Sequence, residues 1–260
     1  MIFAEPQLLL LGLYFFVSLR FLGVLTVAPA FAASAFPVQV RLWLAFLLAL
    51  FALPAALELP SPEPILTIGG LVTASTREYL LGAALGFFGS LPLYALQMAG
   101  RIVGMQMSFG MANVLDPFSE VQVSVVEQFK FLAGLWFFFH WNGHLLLVRA
   151  AGESLRLAPL GVPSLAFPLD PGLGLWMQQA LVLAMRMVLP FFGALLLADV
   201  GLGFVARTVP QMNIFVLGLP LKVALGFFLL MVVLPMSIDL IHGEVERVVE
   251  TALGILQVWR

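Results

Sequence analysis

AGRIVGMQMSFGMANVLDPF, residues 99–118, is the stretch on which the reading of this chain turns. It is punctuated by Gly100, Gly104 and Gly110, rich in Met, and closed by Asp116-Pro117, yet it lies between two strongly apolar blocks. Each glycine weakens a helix, and Pro117 disfavours the α conformation at Asp116, so the segment is expected to bend or break in an apolar environment. Irregular backbone at membrane depth persists only where protein or a wet cavity surrounds it. The stretch is therefore expected to line or close a path, with the rest of the chain holding it in place.

Composition agrees with a membrane setting. Of 260 residues, 62% are hydrophobic and 10% charged, against about 25% charged in a soluble domain. The net charge is −2 and no basic run or basic face occurs, which gives no footing for nucleic acid. With no Cys, disulfides, thiol catalysis and thiolate metal sites are excluded together. Gly and Pro, 23 and 17 of them, are spread through the apolar segments, so interrupted helices are expected. The first basic residue, Arg20, follows the apolar run 8–17 instead of preceding it, so a cleavable leader is not expected, despite the small-residue stretch APAFAASAF at 28–36.

Outward from the opening stretch, residues 7–33 read as one long span with Arg20 near its middle. An Arg there costs roughly 2.5–3.5 kcal/mol on insertion scales unless protein or water receives it, so Arg20 is expected to face protein. Pro29 marks a turn or kink, and Pro37 leads to Arg41. Residues 42–57 are shorter than the roughly 20 residues of a simple span and read as half of a bent hairpin. ELPSPEPIL at 58–66 is an exposed connection. Blocks 65–76 and 79–99 are separated by Arg77-Glu78, and small residues at 82, 86 and 90 make a close-packing face. Beyond Pro117, residues 119–130 are polar, 131–148 apolar, and the Pro- and Gly-rich stretch 158–172 is the clearest linker. An apolar block at 173–198 ends at Asp199, and another at 223–238 ends at Pro235 and Asp239. In the tail 239–260, apolar residues at 241, 245, 248, 249, 252, 253 and 256 have helical spacing, which predicts an amphipathic helix against a partner or an interface. Hydropathy alone suggests about six segments, several of them short, broken or centrally charged.

Catalytic constellations are weak. His140 and His144, four apart, would share a helix face, but the Glu of a zinc-protease motif is missing between them. Neither a Gly-x-Ser-x-Gly elbow nor a phosphate-binding Gly-rich loop occurs. Met105, Met107 and Met111 with Phe109 have the flexible, polarizable character of a deformable seal, although Met clusters also serve simply as packing. Arg20, Arg41, Arg101, Arg186, Asp199, Arg207, Lys222 and Asp239 are expected to form ion pairs within or between chains rather than an ion relay.

Taken together, Arg20, Ala28-Pro29, Pro37 and Arg41, GRIVGMQMSFGMANVLDP at 100–117, NGH at 142–144, ESLRLAPLG at 153–161, ALVLAMRMVLPFF and LADVGLGFVARTVPQMNIFVLGLPLK at 197–222 resemble the flagellar biosynthetic FliR family over nearly the whole chain. The resemblance implies an all-α, membrane-associated fold of bent helical hairpins with broken helices, a FliP-like part at 1–185 followed by a FliQ-like hairpin at 186–260. It implies a non-enzymatic, cofactor-free subunit of the type III export gate in the flagellar basal body of the bacterial inner membrane. FliP and FliQ subunits in a helical ring, an FlhB-type switch protein and unfolded export substrates would be its partners. Carried onto this chain, the channel plug falls on Gln106, Met107, Phe109, Met111, Asn113, Asp116, Pro117 and Phe118, and a turn near the cytoplasmic entrance on Pro210, Gln211 and Asn213. Alternatives are the matching subunit of a virulence-type secretion system, a secondary transporter, for which no internal repeat is seen, and a metalloprotease built on His140 and His144.

Overall fold

The computed structural model describes residues 6–32, 36–58, 67–109, 124–158, 160–162, 172–209, 211 and 213–257. Among them the regular structure is helical throughout: α1 Pro6–Val27, α2 Pro29–Ala32, α3 Val38–Leu57, α4 Ile68–Gln106, α5 Val125–His140, α6 Gly143–Leu157, α7 Gly172–Thr208 and α8 Ile214–Gln257. Five helices are long and apolar enough to cross a membrane, and α5 with α6 forms a further, broken pair bent by 63°. The chain is an all-α membrane protein.

Several expected breaks are absent. Arg77-Glu78 does not divide two blocks, because both side chains are buried inside one 39-residue helix, α4. Gly100 and Gly104 do not break α4 either. A Cβ on Gly100 would stand 2.7 Å from the Glu127 Cα, and one on Gly104 would overlap the Ser124 side chain, so these glycines admit the close approach of the next chain segment. α3 starts at Val38 and takes in Arg41, reaching 20 residues rather than the 16-residue half-hairpin expected. Asp199 lies within α7, and α8 runs 44 residues through Pro220, Pro235 and Asp239. In apolar surroundings a backbone released from the helix finds no water to bond, so a proline costs one hydrogen bond without ending the helix. At a rise of 1.5 Å per residue α8 extends about 66 Å, roughly twice the ~30 Å hydrocarbon layer. The apolar block expected at 131–148 is broken at Asn142, whose left-handed φ of 59° separates α5 from α6.

The chain divides into two compact units that are interleaved in sequence. The first comprises Met1–Leu91, Asn142–Leu173 and Val245–Arg260. In it α1 and α4 meet backbone to backbone: a Cβ on Gly82 would overlap the Arg20 carbonyl, and one on Gly86 would stand 2.8 Å from the Val24 carbonyl oxygen. Tyr14 joins α1 to α3, its hydroxyl donating to the Phe46 carbonyl at 2.9 Å while the rings stack at 6.1 Å. Thr26 and Tyr79 share a hydroxyl hydrogen bond of 2.9 Å. From the end of α8, Val245, Val248, Val249 and Ala252 are buried, and a Cβ on Gly89 would meet both Leu147 of α6 and Val249. The amphipathic tail thus packs within its own chain as the continuation of α8.

The second unit comprises Pro92–Trp141 and Gly174–Glu244. α4 and α5 pack closely along Gly100, Gly104 and Gly134, where a Cβ on the last would run into Leu96. Val126, Glu127, Lys130, Gly134 and Phe138 form the buried face of α5, at the helical spacing that such a face requires.

Candidate functional site: the end of α4

α4 stops at Gln106 in a defined way. The Ser108 N–H donates to the Met105 carbonyl at 3.0 Å, and the Phe109 N–H to the Gly104 carbonyl at 3.1 Å. Ser108 itself is left-handed, with φ 68°. This is the Schellman pattern, which satisfies the last carbonyls of a helix and turns the chain away from its axis. Glycine usually holds the left-handed position because other residues pay about 1–2 kcal/mol there. The segment 110–123 follows directly.

On either side of Ser108 the chain is held against α8. Met107 is fully buried, its Cγ, Sδ and Cε lying where a side chain on Gly226 would go. Phe109 meets Phe227 edge to face, with ring centroids 6.1 Å apart and planes at 81°. Gln106 is half-buried and Met105 exposed. Of the plug residues expected from sequence, Gln106, Met107 and Phe109 are thus gathered at the helix end, whereas Met111, Asn113, Asp116, Pro117 and Phe118 lie outside the described residues.

The charged positions separate into four kinds. Arg20 is fully buried in the first unit, donating from Nε to Glu78 Oε2 at 2.7 Å, with Nη2 2.6 Å from the same oxygen. Its Nη1 also donates to the Ser154 carbonyl at 2.8 Å, and Nη2 to the Ala158 carbonyl at 3.4 Å. Glu78 completes the knot by accepting the Gly161 N–H at 3.2 Å. Asp199 and Lys222 form the second kind, a half-exposed pair at 2.5 Å linking α7 to α8. Arg41 donates to the Phe36 carbonyl at 2.9 Å and so caps the chain after α2. Arg101, Arg186 and Arg207 are exposed. At the expected turn, Gln211 and Asn213 are exposed and Pro210 is outside the described residues.

His140 and His144 do not share a helix face, because the left-handed Asn142 puts them on α5 and α6 respectively. His140 stacks on Trp136 at 5.3 Å with planes 5° apart. Among the described residues no three His, Cys, Asp or Glu side chains gather as metal ligands. Sequence reading passed over Gly226 and Phe227, which carry no chemical signature, and it took Glu78 for a boundary. It also missed Lys130, which is fully buried on α5 with its Nζ 5.1 Å from the centre of the Phe191 ring, and Glu127, which accepts a hydrogen bond from Gln97 Nε2 at 3.1 Å.

The model of the family "Bacterial export proteins, family 1" matches residues 11–248. The chain belongs to this export family. Flagellar biosynthetic protein FliR of Bacillus subtilis (strain 168) is 30% identical to it over 254 residues, covering 94% of both chains. The FliR of Escherichia coli (strain K12) is 30% identical over 238 residues, covering 90% of this chain and 88% of that one. Yop proteins translocation protein T of Yersinia pestis is 29% identical over 187 residues, 71% of each. This family 1 export protein is therefore FliR-type over most of its length, and its buried Arg20 and the end of its α4 both lie within the matched region.

Proposed function

We propose that this FliR-type chain is a structural and gating subunit of the type III protein export apparatus of the bacterial flagellum, placed in the inner membrane. It completes a helical ring of FliP and FliQ subunits, residues 1–185 acting as the FliP-like part and 186–260 as the FliQ-like hairpin. The segment running from Gln106 to Phe118 seals the central channel until unfolded substrates displace it, and the turn at Pro210, Gln211 and Asn213 meets an FlhB-type switch protein near the cytoplasmic entrance. Arg20, Arg41, Arg101, Arg186, Asp199, Arg207 and Lys222 serve ion pairing within the subunit and at its contacts. The subunit performs no chemistry of its own.

The observation that carries the reading is the way α4 ends. A seal must start from a fixed point, and the Schellman turn at Ser108, with Met107 and Phe109 held against Gly226 and Phe227, supplies one at the base of the segment 110–123. Coverage of 94% of the Bacillus subtilis FliR, against 71% of the Yersinia pestis translocation protein, favours the flagellar over the virulence system.

The test is deletion of residues 111–118 from the sole chromosomal copy, with assembly of the complex checked by purification. Ion leakage across the membrane should rise while flagellar protein export continues. An intact complex that leaks no more than the parent would remove the plug assignment.

A further inference from the structure

Gly226 sits in the interior of α8, where glycine is among the least favoured residues. Backbone conformation does not call for it: among the described glycines only Gly161 has a positive φ. Nor is space plentiful there. A Cβ built on Gly226 would stand 2.5 Å from both Cγ and Sδ of Met107 and closer still to Cε, whereas one on Gly193, Gly201 or Gly203 of α7 would meet nothing within 4 Å. Met107 in turn has no exposed surface, so its thioether cannot swing into solvent to make room. The next residue on α8, Phe227, receives Phe109. Two consecutive residues of α8 thus hold the two residues that flank left-handed Ser108, and the hold depends on one of them having no side chain.

We infer that Gly226 is a positioning residue of the export gate: the missing side chain seats Met107 and thereby fixes the point and direction in which the chain leaves α4. The inference deepens the gating function proposed above and rests on it for its consequence, though the seat itself is independent of that function. A methyl group at position 226 overlaps Met107 and forces it to shift, and with it the turn at Ser108. Overpacking of this kind destabilises the packed arrangement. A displaced root favoured by about 1.4 kcal/mol corresponds to a tenfold shift in population, and a rise in ion leakage of about that size is expected from G226A.

The experiment uses the full chain in the assembled apparatus in cells, comparing parent, G226A, the G226A/M107A double variant and the 111–118 deletion for assembly, ion leakage and flagellar export. Because the chain has no Cys, an M107C/G226C pair adds a direct probe of the seat: mild oxidation of the purified protein should form an intramolecular disulfide, read as loss of maleimide mass-tagging. G226A is expected to assemble poorly or leak, and the double variant, with the overlap relieved, to assemble at the parent's level while still leaking because Met107 is itself part of the seal, a pattern that generalised damage to α8 would not give. A sealed G226A complex beside a leaking 111–118 deletion overturns the positioning role and leaves the plug standing. A 111–118 deletion that does not leak removes the plug reading instead, and no disulfide in the M107C/G226C pair removes the seat. Should G226A fail to assemble, recovery of assembly in the double variant supports the fit, and failure to recover overturns it.

Discussion

Replacing Glu78 with Ala should be among the most damaging single changes in the first unit. Glu78 and Arg20 are both without solvent exposure, and the carboxylate receives two guanidinium nitrogens at 2.6 and 2.7 Å and the Gly161 N–H at 3.2 Å. Glu78→Ala leaves the guanidinium buried with the Ser154 carbonyl and hydroxyl and the Ala158 carbonyl as its partners among the described residues, and takes from the Gly161 N–H its bond to the carboxylate. Removing one partner of a buried pair costs about 3–5 kcal/mol, chiefly through the charge left behind. At about 2–4 °C per kcal/mol for a chain of this size, the melting midpoint should fall by roughly 6–20 °C. The measurement is thermal unfolding of the purified protein in detergent, with two companions. Glu78→Gln keeps an oxygen for Gly161 and should fall less, and R20M/E78L, which removes both charges together, should recover much of the loss. A midpoint for Glu78→Ala within about 2 °C of the parent, less than 1 kcal/mol on the same scale, would show that the knot contributes little. A double variant no better than the single would show that packing, not charge, is what Glu78 supplies.

Two further outcomes follow from single residues. Ser108→Gly should raise the melting midpoint, because glycine removes a left-handed penalty of about 1 kcal/mol at φ 68°, and a fall would mean that the serine side chain matters more than the turn. Lys130→Met should also raise it: Nζ is buried without a hydrogen-bond partner among the described residues, and the ring of Phe191 returns only about 2 kcal/mol of a desolvation cost of several. A lower midpoint for Lys130→Met would refute that balance.

The helices were legible because an apolar chain in lipid has few other ways to satisfy its backbone, and the charge at Arg20 announced a need for a partner. The partner was not legible, since Glu78 lies 58 residues away and, beside Arg77, has the sequence signature of a helix boundary. Burial reversed the meaning of that dipeptide. Gly100 and Gly104 misled in the same way: glycine reads as weakness along one helix, but here its use is the close approach of a second chain segment, which local sequence does not encode. At the end of α4 the Met and Phe residues drew attention by type, whereas Gly226 became meaningful only once Met107 was seen to occupy its side-chain space. Asn142 shows the opposite case, a single left-handed residue that divides one apolar run and separates two histidines whose spacing suggested a common face.

The interleaving of the two units bears on biogenesis. The first unit draws on residues up to 173 and then again from Val245, so its packing surface beside Gly89 and Leu147 waits for the last turns of α8. At a synthesis rate of about 5–20 residues per second, the ribosome needs about 4–14 s to cross the intervening 71 residues (244 − 173). During that interval the nascent chain holds a half-built unit in the bilayer, with an apolar groove open on it. Insertion machinery or a holding chaperone has that window in which to act, and a premature stop inside α8 would leave both units defective rather than one.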